Sequence, residues 1–168
     1  ENILATANLE ITPLQGLLIK ASVGTDIRIN ERNSYLPSTI SIANQETKYA
    51  YMGKNRGESY LLSLMADYKK AIGQHSFGVM GAFEFEHIGK NGSTMISSGF
   101  PSDDFLWNNM GSGSRAHPDV TSYKNIDQRA SYIARVNYGY DNRYLISANM
   151  RVDGSSNFAS NKQWGTFF

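Results

Sequence analysis

The chain has 168 residues and a net charge of +1, with 16 Lys plus Arg against 15 Asp plus Glu, so it carries no electrostatic footprint for nucleic acid. It contains no cysteine, which excludes a disulfide framework and any thiolate metal site or nucleophile. Mean hydropathy is −0.41, and no apolar run reaches the roughly 18 residues of a membrane-spanning helix. A membrane barrel stays open, because its polar lumen face keeps mean hydropathy low.

Taken in order, Ile3 to Ile11 alternates, with Ile3, Ala5, Ala7, Leu9 and Ile11 on one face. Thr12–Gly16, with Pro13 and Gly16, reads as a short turn. A strand over Leu17–Asn30 follows, with Lys20, Asp26 and Arg28 on its polar face, where a dry core would leave them without partners. Residues 31–57 read as a long polar loop, a length that compact domains seldom carry. Glu58–Lys70 and His75–Ile88 are the third and fourth strands, joined by a short turn over residues 71–74.

Residues 89–127 form a second long excursion. Within it, Ser102-Asp103-Asp104-Phe105-Leu106-Trp107-Asn108 has an N-cap serine and early acids, which predicts a short helix. Gln128–Tyr140 and Tyr144–Val152 are the fifth and sixth strands. Matching their apolar faces pairs Tyr140 with Tyr144, Tyr138 with Ile146 and Val136 with Ala148, which leaves a three-residue turn, Asp141 to Arg143. Arg135 then sits opposite Asn149. A third polar loop is expected from Asp153, and Thr166-Phe167-Phe168 reads as the start of another strand. The chain opens inside one strand pattern and closes on another, so it reads as an internal piece of something larger.

Connections that alternate short and long between antiparallel strands describe an outer-membrane barrel. Aromatic spacing supports this. Tyr60 and Tyr68, Phe77 and Phe85, and Tyr132 and Tyr140 each stand eight residues apart on the apolar face. Tilted strands of that length span about 20 Å, close to the apolar band between the aromatic girdles of a barrel. A soluble sandwich shares the alternation but has no need of this spacing or these strand lengths. The fold expected is all-β: residues 1–168 form about six strands of a large antiparallel transmembrane barrel domain, with short periplasmic turns and long extracellular loops. About six strands cannot close such a barrel, and their two edges would stay unpaired in lipid, so the segment is not expected to be stable alone.

Catalytic signals are weak. His75, His87 and His117 are scattered, Ser155-Ser156 lacks a nucleophile elbow, and Asp153-Gly154 reads as a turn. Asp103 and Asp104 need no metal to explain them as first-turn acids. The expectation is no enzyme activity, no cofactor and no metal.

The block Tyr138-Gly-Tyr-Asp-Asn-Arg-Tyr-Leu-Ile-Ser-Ala-Asn-Met-Arg-Val-Asp-Gly-Ser-Ser-Asn-Phe158, with Asn161 and Trp164-Gly165, resembles the SusC/RagA family of TonB-dependent outer-membrane transporters. Arg135-Val-Asn-Tyr-Gly-Tyr-Asp141 stands where that family carries its preceding strand. Tyr35-Leu-Pro-Ser-Thr39, His75-Ser-Phe77 and Gly99-Phe-Pro101 lend weaker support. Asn157 and Val152 depart from the family pattern, each where Arg is usual. The resemblance implies part of a 22-stranded plugged barrel in the outer membrane. It implies import of oligosaccharides or peptides, energised through TonB, with a SusD-like lipoprotein at the extracellular mouth and the remaining barrel segments and lipid around it. Trp107 and Tyr123 are the aromatics expected to stack on a ligand from the loops. The rival reading is a structural or adhesive outer-membrane β protein without active transport.

Overall fold

The computed structural model describes residues 1–40, 47–114 and 119–168. It is all-β: seven strands lie in one sheet in chain order, β1 (Asn2–Leu14), β2 (Leu17–Leu36), β3 (Tyr49–Ile72), β4 (His75–Ser97), β5 (Asp119–Tyr140), β6 (Tyr144–Ser155) and β7 (Trp164–Phe167). The seventh strand goes beyond the six read from the alternation. It begins at Trp164, two residues before the expected start. Being four residues long, it is too short to show a period of its own.

The strands are also longer than the alternation suggests. β2 runs to Leu36, β3 starts at Tyr49, β4 reaches Ser97 and β5 starts at Asp119. The long loops expected over 31–57 and 89–127 therefore shrink to residues 37–48 and 98–118, of which 41–46 and 115–118 lie outside the described residues. The added strand residues, such as Asn33, Ser34, Asn55, Arg56, Asn91 and Ser93, are polar on both faces. Ladder hydrogen bonds need no alternation, so a ribbon wetted on both sides leaves no period-two signal. At about 3.3 Å per residue, β3 is about 80 Å long, far more than a bilayer core of about 30 Å requires. Likewise β6 continues through Asp153-Gly154 to Ser155, so the connection there is residues 156–163 and not a loop opening at Asp153.

The chain divides into two compact units. The unit comprising 3–26, 58–88 and 126–168 holds the three tight turns. Gln15-Gly16 and Gly73-Gln74 are two-residue turns, shorter than the expected stretches because β1 and β3 run on to Leu14 and Ile72. Gly16 has φ +88°, and its carbonyl accepts from the Lys69 amide at 2.8 Å. The Gln74 carbonyl accepts from the Asp141 amide at 2.8 Å, so neighbouring turns lie side by side. In the third turn Asp141 and Asn142 both take positive φ, 52° and 51°, a conformation these two residue types tolerate. The β5–β6 register is the one expected, with Tyr140↔Tyr144, Tyr138↔Ile146, Val136↔Ala148 and Arg135↔Asn149.

Each face of this unit has its own chemistry. Tyr60, Tyr68, Phe77, Val79, Tyr132, Val136, Tyr140 and Ile146 all stand exposed on the apolar side. Among the described residues the buried apolar side chains are Ala50 and Phe100, and both belong to the other unit. The broad apolar face thus has no second layer upon it. Its rings gather beside the tight turns as His75, Phe77, Tyr138 and Tyr140, and farther along as Phe83, Tyr132 and Trp164 and as the pair Tyr60 and His87.

Candidate loop-side ligand site

In the unit comprising 1–2, 27–57 and 89–125, the connection after β4 folds back onto β2 and β3. Gly99, at φ +70°, donates to the Lys48 carbonyl at 3.1 Å, and Phe100 is buried with its ring edge-on to Tyr35 at 5.9 Å. The Lys48 ammonium reaches the Pro101 carbonyl at 3.3 Å. Asp103 is the anchor: it accepts from Tyr35 Oη at 2.7 Å and from Ser38 Oγ at 2.6 Å, with the Ser38 amide at 3.2 Å. The expected short helix is a single 3-10 turn, Asp103–Phe105, capped by Ser102 Oγ, which accepts from the Asp104 amide at 3.1 Å.

The hydrogen bonds from Ser38, then that from Tyr35, hold the Asp103 carboxyl below the ordinary value of 3.8. Burial, then the bond to Asp103, pushes the Tyr35 hydroxyl up to about 12. A depressed carboxylate stabilises above its ordinary value and loses that contribution as pH falls through its folded value. A raised tyrosine stabilises below 10.0 and loses that contribution as pH climbs towards about 12. The anchor therefore persists across the whole neutral range. Asp103→Ala is expected to raise amide exchange in residues 98–114 about tenfold at neutral pH, with exchange in β5 and β6 unchanged. Hydrogen-exchange mass spectrometry of the full-length protein checks this, and unaltered exchange in 98–114 would discard the anchor.

Past the anchor the chain turns sharply at Leu106 (φ 52°, ψ −121°), leaving Phe105 and Leu106 exposed and Trp107 half-buried. Tyr123, the other expected stacking residue, lies on β5 and not in a loop. Its ring rests on Gly92, where an added Cβ would come within 2.6 Å of Tyr123 Cε1, and its hydroxyl donates to Asn55 Oδ1 at 3.1 Å. One ring face is thus laid on the backbone while the residue stays 50% exposed. Tyr51 repeats the device: its ring lies over Gly53, and the Arg32 guanidinium stands 5.9 Å from the ring centre. Among the described residues no ring contact joins Trp107 to Tyr123. Sequence reading missed Arg32, Tyr51 and Asn55 because they fell in a stretch read as loop. Tyr51, Gly53 and Asn55 share one side of the strand, but their mixed character gives no apolar alternation to announce it.

The polar face of the other unit is a ladder of short bonds. Arg135 Nε donates to Asn149 Oδ1 at 2.7 Å, Ser147 Oγ to Asn137 Oδ1 at 2.7 Å, and Arg151 Nε to Asp153 at 2.7 and 2.8 Å. Glu86 pairs with Arg129 at 3.4 Å, while on the apolar side His87 meets Gln128 at 3.3 Å. His75 faces Tyr138, while His117 lies outside the described residues. Among the described residues no three His, Asp or Glu side chains converge as a metal site.

No protein-family model matches the chain. The TonB-dependent receptor SusC of Bacteroides thetaiotaomicron is 30% identical over 156 residues, covering 92% of this chain and 15% of that receptor. TonB-dependent receptor P3 of Formosa agariphila is 25% identical over 159 residues, again 92% of this chain and 15% of the relative. Among solved structures, the RagAB peptide importer in its open-open state superposes with a TM-score of 0.80 at 26% identity, covering 99% of this chain and 18% of that one. In sequence and in fold, this chain is similar to the SusC/RagA transporters. It spans about 15% of the length of the curated relatives it matches.

The SusC/RagA-like block around residues 138–165 is a structural corner. Gly154 pairs with Trp164, whose ring lies flat over it, and Asp153 pairs with Gly165 while holding Arg151. The Ser155 amide donates to the Gln163 carbonyl and the Ser156 amide to the Gln128 carbonyl, each at 2.9 Å, so the corner ties β5, β6 and β7 together. What marks the SusC/RagA resemblance in the sequence is thus chiefly a joint between strands.

Proposed function

We propose that residues 1–168 form part of the barrel domain of a TonB-dependent outer-membrane importer of oligosaccharides or peptides, which works with a SusD-like surface lipoprotein and has no catalytic activity of its own. One observation carries this reading. The unit with the tight turns exposes a broad apolar face with no layer upon it, while its opposite face carries hydrogen-bonded Arg, Asn, Ser and Asp. Such a sheet suits lipid on one side and a wet lumen on the other. The similarity to SusC and to the RagAB peptide importer supports it. By this reading the tight turns are periplasmic and the folded connection 98–114 is extracellular. Deleting the gene from its native host is expected to abolish growth on one oligosaccharide or peptide source, as is deleting TonB. Unchanged uptake of every such source in the deletion strain would reject the importer.

Trp107 and Tyr123 remain the ligand contacts in this proposal, Tyr123 as a ring pinned flat by Gly92 and Asn55. Trp107→Ala and Tyr123→Ala are each expected to weaken substrate binding about three- to tenfold, the usual scale of one ring contact. Titration calorimetry on the full-length protein measures it. Unchanged affinity removes the residue concerned from the site.

A further inference from the structure

The ring group beside the tight turns contains more polar atoms than an aromatic belt needs. His75 lies nearly parallel to Phe77 (ring centres 6.3 Å apart, 15° between planes) and 5.0 Å from Tyr140, and its Nδ1 is 2.8 Å from Tyr138 Oη. In the tautomer where the Tyr138 hydroxyl donates to Nδ1, the imidazole carries its hydrogen on Nε2 and keeps that donor for another partner. Alternation from Tyr60 through Tyr68 puts Lys70 on this same apolar face, opposite Phe77 across the two-residue turn. Neighbouring cations are neutralised: Lys69 pairs with Asp67 at 2.9 Å and Arg143 with Asp141 at 3.5 Å. Lys70 is exposed and, among the described residues, has no carboxylate within ion-pair distance.

We infer that Lys70, His75 and the Tyr140 hydroxyl form a site for the phosphate of an anionic phospholipid in the periplasmic leaflet. An ammonium, an imidazole N–H and a phenol are all donors, and a phosphodiester offers only acceptors. The site lies on the edge of the apolar face where membrane meets water, the depth at which headgroups sit. Beyond it the exposed side chains of Val79, Val136 and Ile146 run on as an apolar track for the acyl chains, which a free phosphate would leave bare. That continuity commits the occupant to a lipid.

This inference depends on the membrane reading of that face, and the two are tested apart. The full-length protein is placed in phosphatidylcholine nanodiscs with and without phosphatidylglycerol, and retained lipid is counted by native mass spectrometry. Wild type is expected to retain phosphatidylglycerol selectively, and Lys70→Gln/His75→Gln to retain about fivefold less. Lys69→Gln, on the other face, should match wild type. Lys70→Gln alone, at an exposed position, serves if the double variant fails to assemble. Equal retention in wild type and the Lys70 variants overturns the site, as does displacement of the lipid by inorganic phosphate alone. Protein that stays out of the discs altogether sinks the importer proposal instead.

Discussion

If the apolar face meets lipid as proposed, Val136→Arg is expected to destabilise the barrel by about 2–4 kcal/mol, the cost of a guanidinium on a lipid-facing strand near a bilayer midplane. Val136 is 51% exposed on the apolar face, paired with Ala148 and midway between the two ring groups. One residue on, Asn137 points the other way and accepts from Ser147 Oγ. Asn137→Arg there should cost only about 0.5–1 kcal/mol, the worth of one side-chain hydrogen bond in a wet setting. The contrast between adjacent residues is the measurement, read from urea unfolding of full-length protein in lipid vesicles. Were this a soluble sheet with its apolar face against another layer, Arg at 136 would still destabilise. It would do so equally in detergent-free buffer, where the barrel reading requires the protein to be insoluble.

The second large effect is at the β5–β6–β7 corner. Gly154→Val is expected to destabilise by about 3 kcal/mol and to lower the amount of folded protein in the membrane several-fold. A Cβ at Gly154 would lie 2.8 Å from Trp164 Cε3 and 2.9 Å from Cη2, so the indole must leave the backbone it rests on. Leaving, it also gives up its contact with Tyr132, 6.1 Å away between ring centres. Trp164→Ala in the same background removes the clash, so the double variant should recover part of the loss relative to Gly154→Val alone. A double variant no better than the single one would show that the glycine serves some purpose other than seating the ring. Heat-modifiable gel mobility, which separates folded barrel from unfolded chain, reads both.

How much of this was legible beforehand follows from where each signal lives. The β5–β6 hairpin was readable to the residue because both of its determinants are local: two apolar stripes that must coincide, and a turn of residues that tolerate positive φ. Residues 31–36, 49–57, 89–97 and 119–127 were not readable as strand, since polar side chains on both faces, or at 49–52 apolar ones, erase the period while the ladder persists. Of the site, Trp107 fell in a loop as expected, whereas Tyr123 proved to lie on a strand. Its partners Gly92 and Asn55 stand far off in the chain, and only the pairing of β3, β4 and β5 brings the three together. The anchor at Asp103 hid for the same reason: as a first-turn acid it had a sufficient local explanation, and Tyr35 and Ser38 lie more than 60 residues away.

That anchor has a consequence for how the outer surface can change. Residues 104–113 leave Asp103 and return at Ser114, whose amide donates to the Gly99 carbonyl at 3.2 Å. Both ends of this stretch are fastened by bonds that make no use of the Phe105, Leu106 or Trp107 side chains. The tip is therefore exchangeable cargo on a fixed mount. A graft of another ten-residue tip between the same two fastenings should leave the barrel assembled, and whatever recognition the tip carries should travel with it.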